Sequence, residues 1–73
     1  MADLKVRINT EEDRKKVISH LKSLGYAYPS PVPIKIWGIV VVDDVISDIC
    51  MESTFREEEL TEMSVEEVLM LED

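Results

Sequence analysis

The chain has 73 residues, one cysteine, one histidine and a formal net charge of −8 at pH 7. These counts predict a single small domain over residues 1–73 and exclude both an internal disulfide and a zinc site built from Cys and His. No apolar run follows a basic start at the N-terminus, and the longest apolar run, Ile36–Val42, is too short for a membrane helix. We therefore expect a cytoplasmic protein with no cofactor and no membrane partner.

The charge is distributed unevenly along the chain. Residues 1–42 carry seven Lys or Arg and four acids, a balance of +3, whereas residues 43–73 carry one base and twelve acids, a balance of −11. A negative surface of this density repels nucleic acid and attracts basic partners. The sequence therefore predicts no direct contact with nucleic acid and favours a protein partner with a basic surface.

The first 25 residues predict a strand followed by an amphipathic helix. Leu4–Ile8 alternates apolar and charged residues, which is typical of a strand with one buried face. Thr10 is a good N-cap residue, and Gly25 is a natural C′ residue. Between them, apolar residues recur at helical spacing: Val17, Ile18, Leu21 and Leu24. The helix is expected over about Glu11–Leu24.

The middle of the chain predicts a stiff linker and then a β-hairpin. Three prolines in Tyr26–Pro33 exclude regular structure there, and a loop is favoured over a ligand for a proline-reading domain. Two β-branched runs, Ile34–Val42 and Val45–Met51, meet at Asp43 and Asp44. This pair is a weaker turn signal than one containing glycine, because aspartate adopts positive φ less readily.

The C-terminal segments predict a weak strand and a short helix. Glu52–Glu59 is polar and acidic with one aromatic residue, and no regular element is predicted there. Leu60–Met63 is a candidate fourth strand, and Ser64 begins a capping box for a helix over about Val65–Leu71. The order of elements predicts a small α+β domain, in which a three- to four-stranded, largely antiparallel sheet carries its helices on one face.

The strand Ile34–Val42 has apolar residues on both of its faces. Such a pattern is typical of a strand that is covered on both sides. Two short helices can cover only one face of a small sheet, so we expect a second copy of the chain to cover the other. A homodimer or higher oligomer is predicted, with an interface that includes Ile36, Trp37, Ile39 and Val41.

No set of residues specifies a reaction, and an enzyme is not expected. His20 lies beside apolar helix positions and Cys50 has no neighbouring base in its strand, so both are interpreted as structural. Asp43, Asp44 and Asp48 lack the ligand spacing and the glycine of an EF-hand loop. The two glycines do not form a phosphate-binding loop.

Three segments together resemble the short acidic proteins encoded among bacteriophage early genes. They are the opening strand Val6–Asn9, the helix with its Leu-Gly-Tyr end over Glu11–Tyr26, and the closing motif Glu62–Leu69. The Asp43-Asp44 turn departs from the glycine-containing hairpin of such proteins. The resemblance implies a host-takeover or counter-defence factor that binds and inhibits a bacterial protein, and it transfers no site residues.

Three hypotheses about function follow. The first is a non-enzymatic inhibitor or modulator of a host protein that competes as a nucleic-acid charge mimic and docks through acidic residues: Asp43, Asp44, Glu52, Glu57, Glu58, Glu59 and Glu62. The second is a structural or regulatory protein whose main activity is self-association. The third is a small-ligand-binding protein, a sponge, whose pocket forms between subunits near Trp37 and the tyrosines.

Overall fold

A computed structural model describes residues 3–29, 31 and 35–72 and shows a four-stranded mixed sheet with three helices. The predicted α+β class is confirmed. The elements in chain order are β1 (Leu4–Arg7), α1 (Glu11–Ser23), β2 (Gly38–Val42), β3 (Val45–Ile49), α2 (Glu52–Glu57), β4 (Thr61–Met63) and α3 (Val65–Leu69).

The strands lie in the order β3-β2-β1-β4. β2 pairs antiparallel with both β1 and β3, whereas β4 pairs parallel with β1, so the sheet is largely antiparallel as predicted. Leu4 lies opposite both Val41 and Thr61. The start of β1, the start of β4 and the β2–β3 turn are therefore at the same end of the sheet, which we call the hairpin end.

The predicted hairpin turn forms at Asp43 and Asp44. Their φ angles are 51° and 63°, so both residues occupy the left-handed region that a two-residue type I′ turn requires. Aspartate tolerates this region better than most residues because its short side chain can hydrogen-bond locally. β2 is shorter than predicted and begins at Gly38; Ile34 lies outside the described residues. Ala27, from the predicted linker, forms a parallel bridge with Val45 at the outer edge of β3.

One face of the sheet packs against α1 and α3. Alternate strand residues such as Val6 and Ile39 are fully buried in an aliphatic cluster with Val17 and Leu21 of α1 and Val68 of α3. The predicted caps hold these helices in place. Thr10 Oγ1 accepts a hydrogen bond from Asp13 N at 3.1 Å, the C′ glycine Gly25 has φ 101°, and the Ser64–Glu67 capping box is complete.

The opposite face packs against α2, which was not predicted. Phe55 of α2 is 2% exposed, and a Cβ added at Gly38 would lie 2.5 Å from two of its ring carbons. Only glycine at position 38 lets the ring lie this close to β2. The helices α1 and α3 share one face of the sheet, as predicted. The prediction that all helices lie on that face is wrong for α2, which packs on the other face.

Three of the four residues predicted for the oligomer interface are buried within one chain. Ile36, Ile39 and Val41 belong to the cluster that packs against α1 and α3 and are at most 5% exposed, so they offer almost no surface to a second copy. Trp37 is half-buried and packs against Phe55, with ring centroids 4.9 Å apart. The second apolar face that motivated the prediction is covered by α2 of the same chain. Self-association stays a prediction without this support.

Candidate docking surface

The acidic residues of the C-terminal portion lie at the surface. Within the described residues 43–72, nine acids are exposed and Glu58 is half-buried; the exposed ones are Asp43, Asp44, Glu52, Glu57, Glu59, Glu62, Glu66, Glu67 and Glu72. Among these ten, Glu52 alone forms an ion pair, with Arg56. Apart from Glu52, these acids have no ion pair that compensates their charge within the part of the chain that the structure describes.

Asp48 is the exception, because its carboxylate belongs to an internal network. Its side chain has no exposed surface, and its Oδ2 accepts hydrogen bonds from Tyr28 Oη and, at 3.0 Å, from Arg14 Nη2. Burial and the bond to Asp48 raise the pKa of Tyr28, and the bond to Tyr28 raises the pKa of Arg14. The network fastens α1 to β3, so Asp48 is structural and contributes nothing to the acidic surface.

Lys5 positions the acidic segment that follows α2. Its ammonium is 4.9 Å from the centre of the Phe55 ring and donates hydrogen bonds of 3.1 Å to the carbonyls of Phe55 and Glu58. A cation at a helix C-terminus satisfies carbonyls that lack a partner in the helix and opposes the negative end of the helix dipole. Lys5 is only 8% exposed, so this contact fixes the C-terminal end of α2 and the backbone of Glu58 that follows it.

The fold places two of the seven predicted docking residues, Asp43 and Asp44, in the turn at the hairpin end. Glu57, Glu58 and Glu59 lie between the end of α2, where Lys5 bonds to the carbonyl of Glu58, and Thr61, which starts β4 at the hairpin end. Glu62 lies in the middle of β4, opposite Lys5. Glu52 begins α2, near the end of β3 that is far from the turn. The structure therefore does not place Glu52 with the others.

Sequence reasoning missed two acids at the hairpin end, Asp3 and Glu72. Asp3 Oδ1 accepts a hydrogen bond of 3.3 Å from Asp43 N, which places its carboxylate beside the turn. Glu72 reaches this end because α3 returns along the sheet after β4, and it shares a small pocket with Asp3. No local pattern signals either placement, since both depend on pairing between distant segments.

Comparisons with protein-family models, with curated proteins and with solved structures give no match. Within the described residues, no helix has the length and apolar character needed to cross a membrane. The same residues contain no group of three or more His, Cys, Asp or Glu side chains arranged to hold a metal ion.

Proposed function

We propose that this protein is a non-enzymatic binding protein that docks its hairpin end on a basic surface of a partner protein. The observation that carries the proposal is exposed charge that no ion pair among the described residues compensates, at that end (Asp3, Asp43, Asp44 and Glu72) and along the segment that leads from α2 to β4 (Glu57 and Glu59). Lys5 and the turn geometry hold several of these residues in fixed places, so little ordering is required when a partner binds.

Electrostatics supports a partner of opposite charge. Clustered carboxylates repel one another, and a basic partner relieves this repulsion on binding. Such attraction accelerates association and makes it sensitive to salt, since the Debye length is about 10 Å at 0.1 M. A partner surface that normally binds nucleic acid meets this description, in which case the protein competes as a charge mimic. That the partner is a bacterial host protein rests on the resemblance to phage early proteins.

The competing explanation is that the charge only keeps a small protein soluble. The other two hypotheses have less support. The strand residues expected to mediate self-association are buried within the chain, and Trp37 packs on Phe55 and under Arg7, whose Cζ is 4.6 Å from the indole centre. This packing leaves no observation in favour of a ligand pocket formed around Trp37 between two copies.

The test compares two variants with the same change in net charge. E57Q/E59Q removes two carboxylates from the acidic segment, whereas S19K/S23K adds two lysines at exposed positions of α1. Both are used to capture partners from a bacterial lysate across a salt series. We expect E57Q/E59Q to weaken capture and its salt dependence, and S19K/S23K to leave the same partner bound. Equal effects of the two variants would indicate net charge alone and would contradict a docking surface.

A further inference from the structure

The hairpin end contains a small apolar pocket among its carboxylates. Leu24 at the end of α1, Met63 of β4 and Leu71 after α3 form its walls, and each is only half-buried although it packs against the core cluster. Two exposed acids, Asp3 and Glu72, line the same pocket. Apolar surface is therefore left uncovered at the point where the negative charge is gathered.

The size of the pocket decides which kind of ligand fits. Its volume is about 230 Å³, whereas small-molecule and cofactor sites occupy about 300–1,000 Å³. A pocket of this size accepts one large aliphatic side chain rather than a cofactor. Protein interfaces commonly depend on a few such anchors, which sit in desolvated pockets inside a polar rim.

The charges decide what surrounds that side chain. Two carboxylates, those of Asp3 and Glu72, line the pocket, and the backbone N–H of Asp43 in the hairpin turn donates a hydrogen bond to Asp3. Among the described residues that line the pocket, none is a Lys or Arg. A ligand that enters must therefore bring positive charge near its apolar group.

We infer that this pocket receives an aliphatic anchor side chain, flanked by Lys or Arg, from the basic partner. The inference rests on the proposed function and deepens it, because it assigns the affinity to two separable parts. The carboxylates attract and orient the partner through long-range forces, while the pocket contributes a short-range apolar contact. The partner segment is thus both basic and amphipathic.

The probes are two short synthetic peptides that differ only in their central residue, Lys-Lys-Leu-Lys-Lys and Lys-Lys-Ala-Lys-Lys. Each is titrated into the full chain by NMR, with the Met63 methyl group as the reporter inside the pocket. Leucine buries more apolar surface than alanine, so we expect the leucine peptide to bind about tenfold more tightly, which corresponds to about 1.4 kcal/mol. Equal affinities, or an unperturbed Met63 methyl signal, would overturn the inference.

Two substitutions at Thr61 provide a matched pair. Thr61 lies in the edge strand β4, is exposed and lines the pocket, so T61F fills the opening without crowding the core. T61V has nearly the shape of threonine and leaves the pocket open. We expect T61F to abolish the preference for leucine over alanine and T61V to retain it, with both variants melting near the wild type. Retention of the preference in T61F would overturn the inference.

The two proposals fail in distinguishable ways. The ratio of the leucine to the alanine affinity reports on the pocket, whereas the salt dependence common to both peptides reports on the acidic surface. E57Q/E59Q should weaken both peptides equally and leave the ratio unchanged. A ratio of one together with strong salt dependence removes the anchor and retains the docking surface.

Discussion

The two faces of the sheet are covered in different ways. On one face, α1 and α3 contribute several aliphatic residues to a continuous cluster. On the other face, α2 has six residues and buries a single side chain, Phe55. A short helix can pack on this face for two reasons. Gly38 has no side chain and leaves space for the Phe55 ring, and Lys5 donates hydrogen bonds to the carbonyls of Phe55 and Glu58 at the C-terminal end of α2. The comparison shows that one well-fitted aromatic residue lets a six-residue helix pack on a face of the sheet.

The helices on the two faces also differ in what stabilises them. Side-chain hydrogen bonds cap the N-termini of α1 and α3, whereas the N-cap of α2, Met51, makes none. Isolated helices of this length are not stable in water, so tertiary contacts must supply the stability of α2. The acidic segment that follows α2 therefore depends on the Phe55 and Lys5 contacts for its position.

The largest expected effect comes from removing the aromatic ring. F55A should destabilise the protein by about 3–5 kcal/mol, because a buried ring is lost and the cavity over Gly38 cannot collapse fully. L21A, on the other face, is the comparison and should cost about 2–5 kcal/mol. Chemical denaturation measures both, and hydrogen exchange should show protection lost first in α2 for F55A. A cost below about 1 kcal/mol for F55A would mean that α2 does not cover its face.

A smaller effect is expected when the charge of Lys5, which bonds to the C-terminal end of α2, is removed. K5M preserves the aliphatic stem but leaves the carbonyls of Phe55 and Glu58 without their charged donor, which should cost about 2–3 kcal/mol. K22M makes the same change at an exposed position of α1, on the other face of the sheet, and is the control. If the two variants unfold at the same denaturant concentration, the Lys5 contacts do not hold the acidic segment.

On the α1 face, the polar network predicts a dependence on pH. Because the pKa of Tyr28 is raised in the folded protein, the unfolded chain loses this proton first as the pH rises. The contribution of Tyr28 is therefore fully present below about pH 10 and is lost as the pH rises through the folded pKa. We expect Y28F to lower the free energy of unfolding by about 1.5 kcal/mol at neutral pH. Above about pH 10, the stability of this variant should fall less steeply than that of the wild type. Parallel alkaline curves for the two proteins would contradict this assignment.

The smallest effect is expected at the start of α3. Ser64 Oγ accepts a hydrogen bond of 3.1 Å from Glu67 N, and S64A removes this bond at a cost of about 1 kcal/mol. S53A, at an exposed position in α2, is the matched control and should be nearly neutral. If S53A shifts the denaturation midpoint as much as S64A does, the Ser64 cap does not stabilise α3 in the way proposed.

The sequence by itself determined the elements whose signals are local. The cap at Thr10, the spacing of Val17 and Leu21, and Gly25 define α1, and the capping box at Ser64 defines the start of α3. The hairpin turn belongs to this group as well, although its two aspartates had to adopt positive φ. All these signals act within about one helical turn or one tight turn, so neighbouring residues suffice to specify them.

Only the tertiary structure decided α2 and the arrangement of the candidate docking surface. Glu52–Glu57 has one large apolar residue, so no periodic pattern marks it as a helix. The Phe55 ring packs over Gly38, and the Lys5 ammonium donates a hydrogen bond to the Phe55 carbonyl, 50 residues away in sequence. Chain pairing likewise brings Asp3 beside the turn and Glu72 to the same pocket. Such contacts form only when distant segments of the chain fold together, so a pattern over a few neighbouring residues does not predict them.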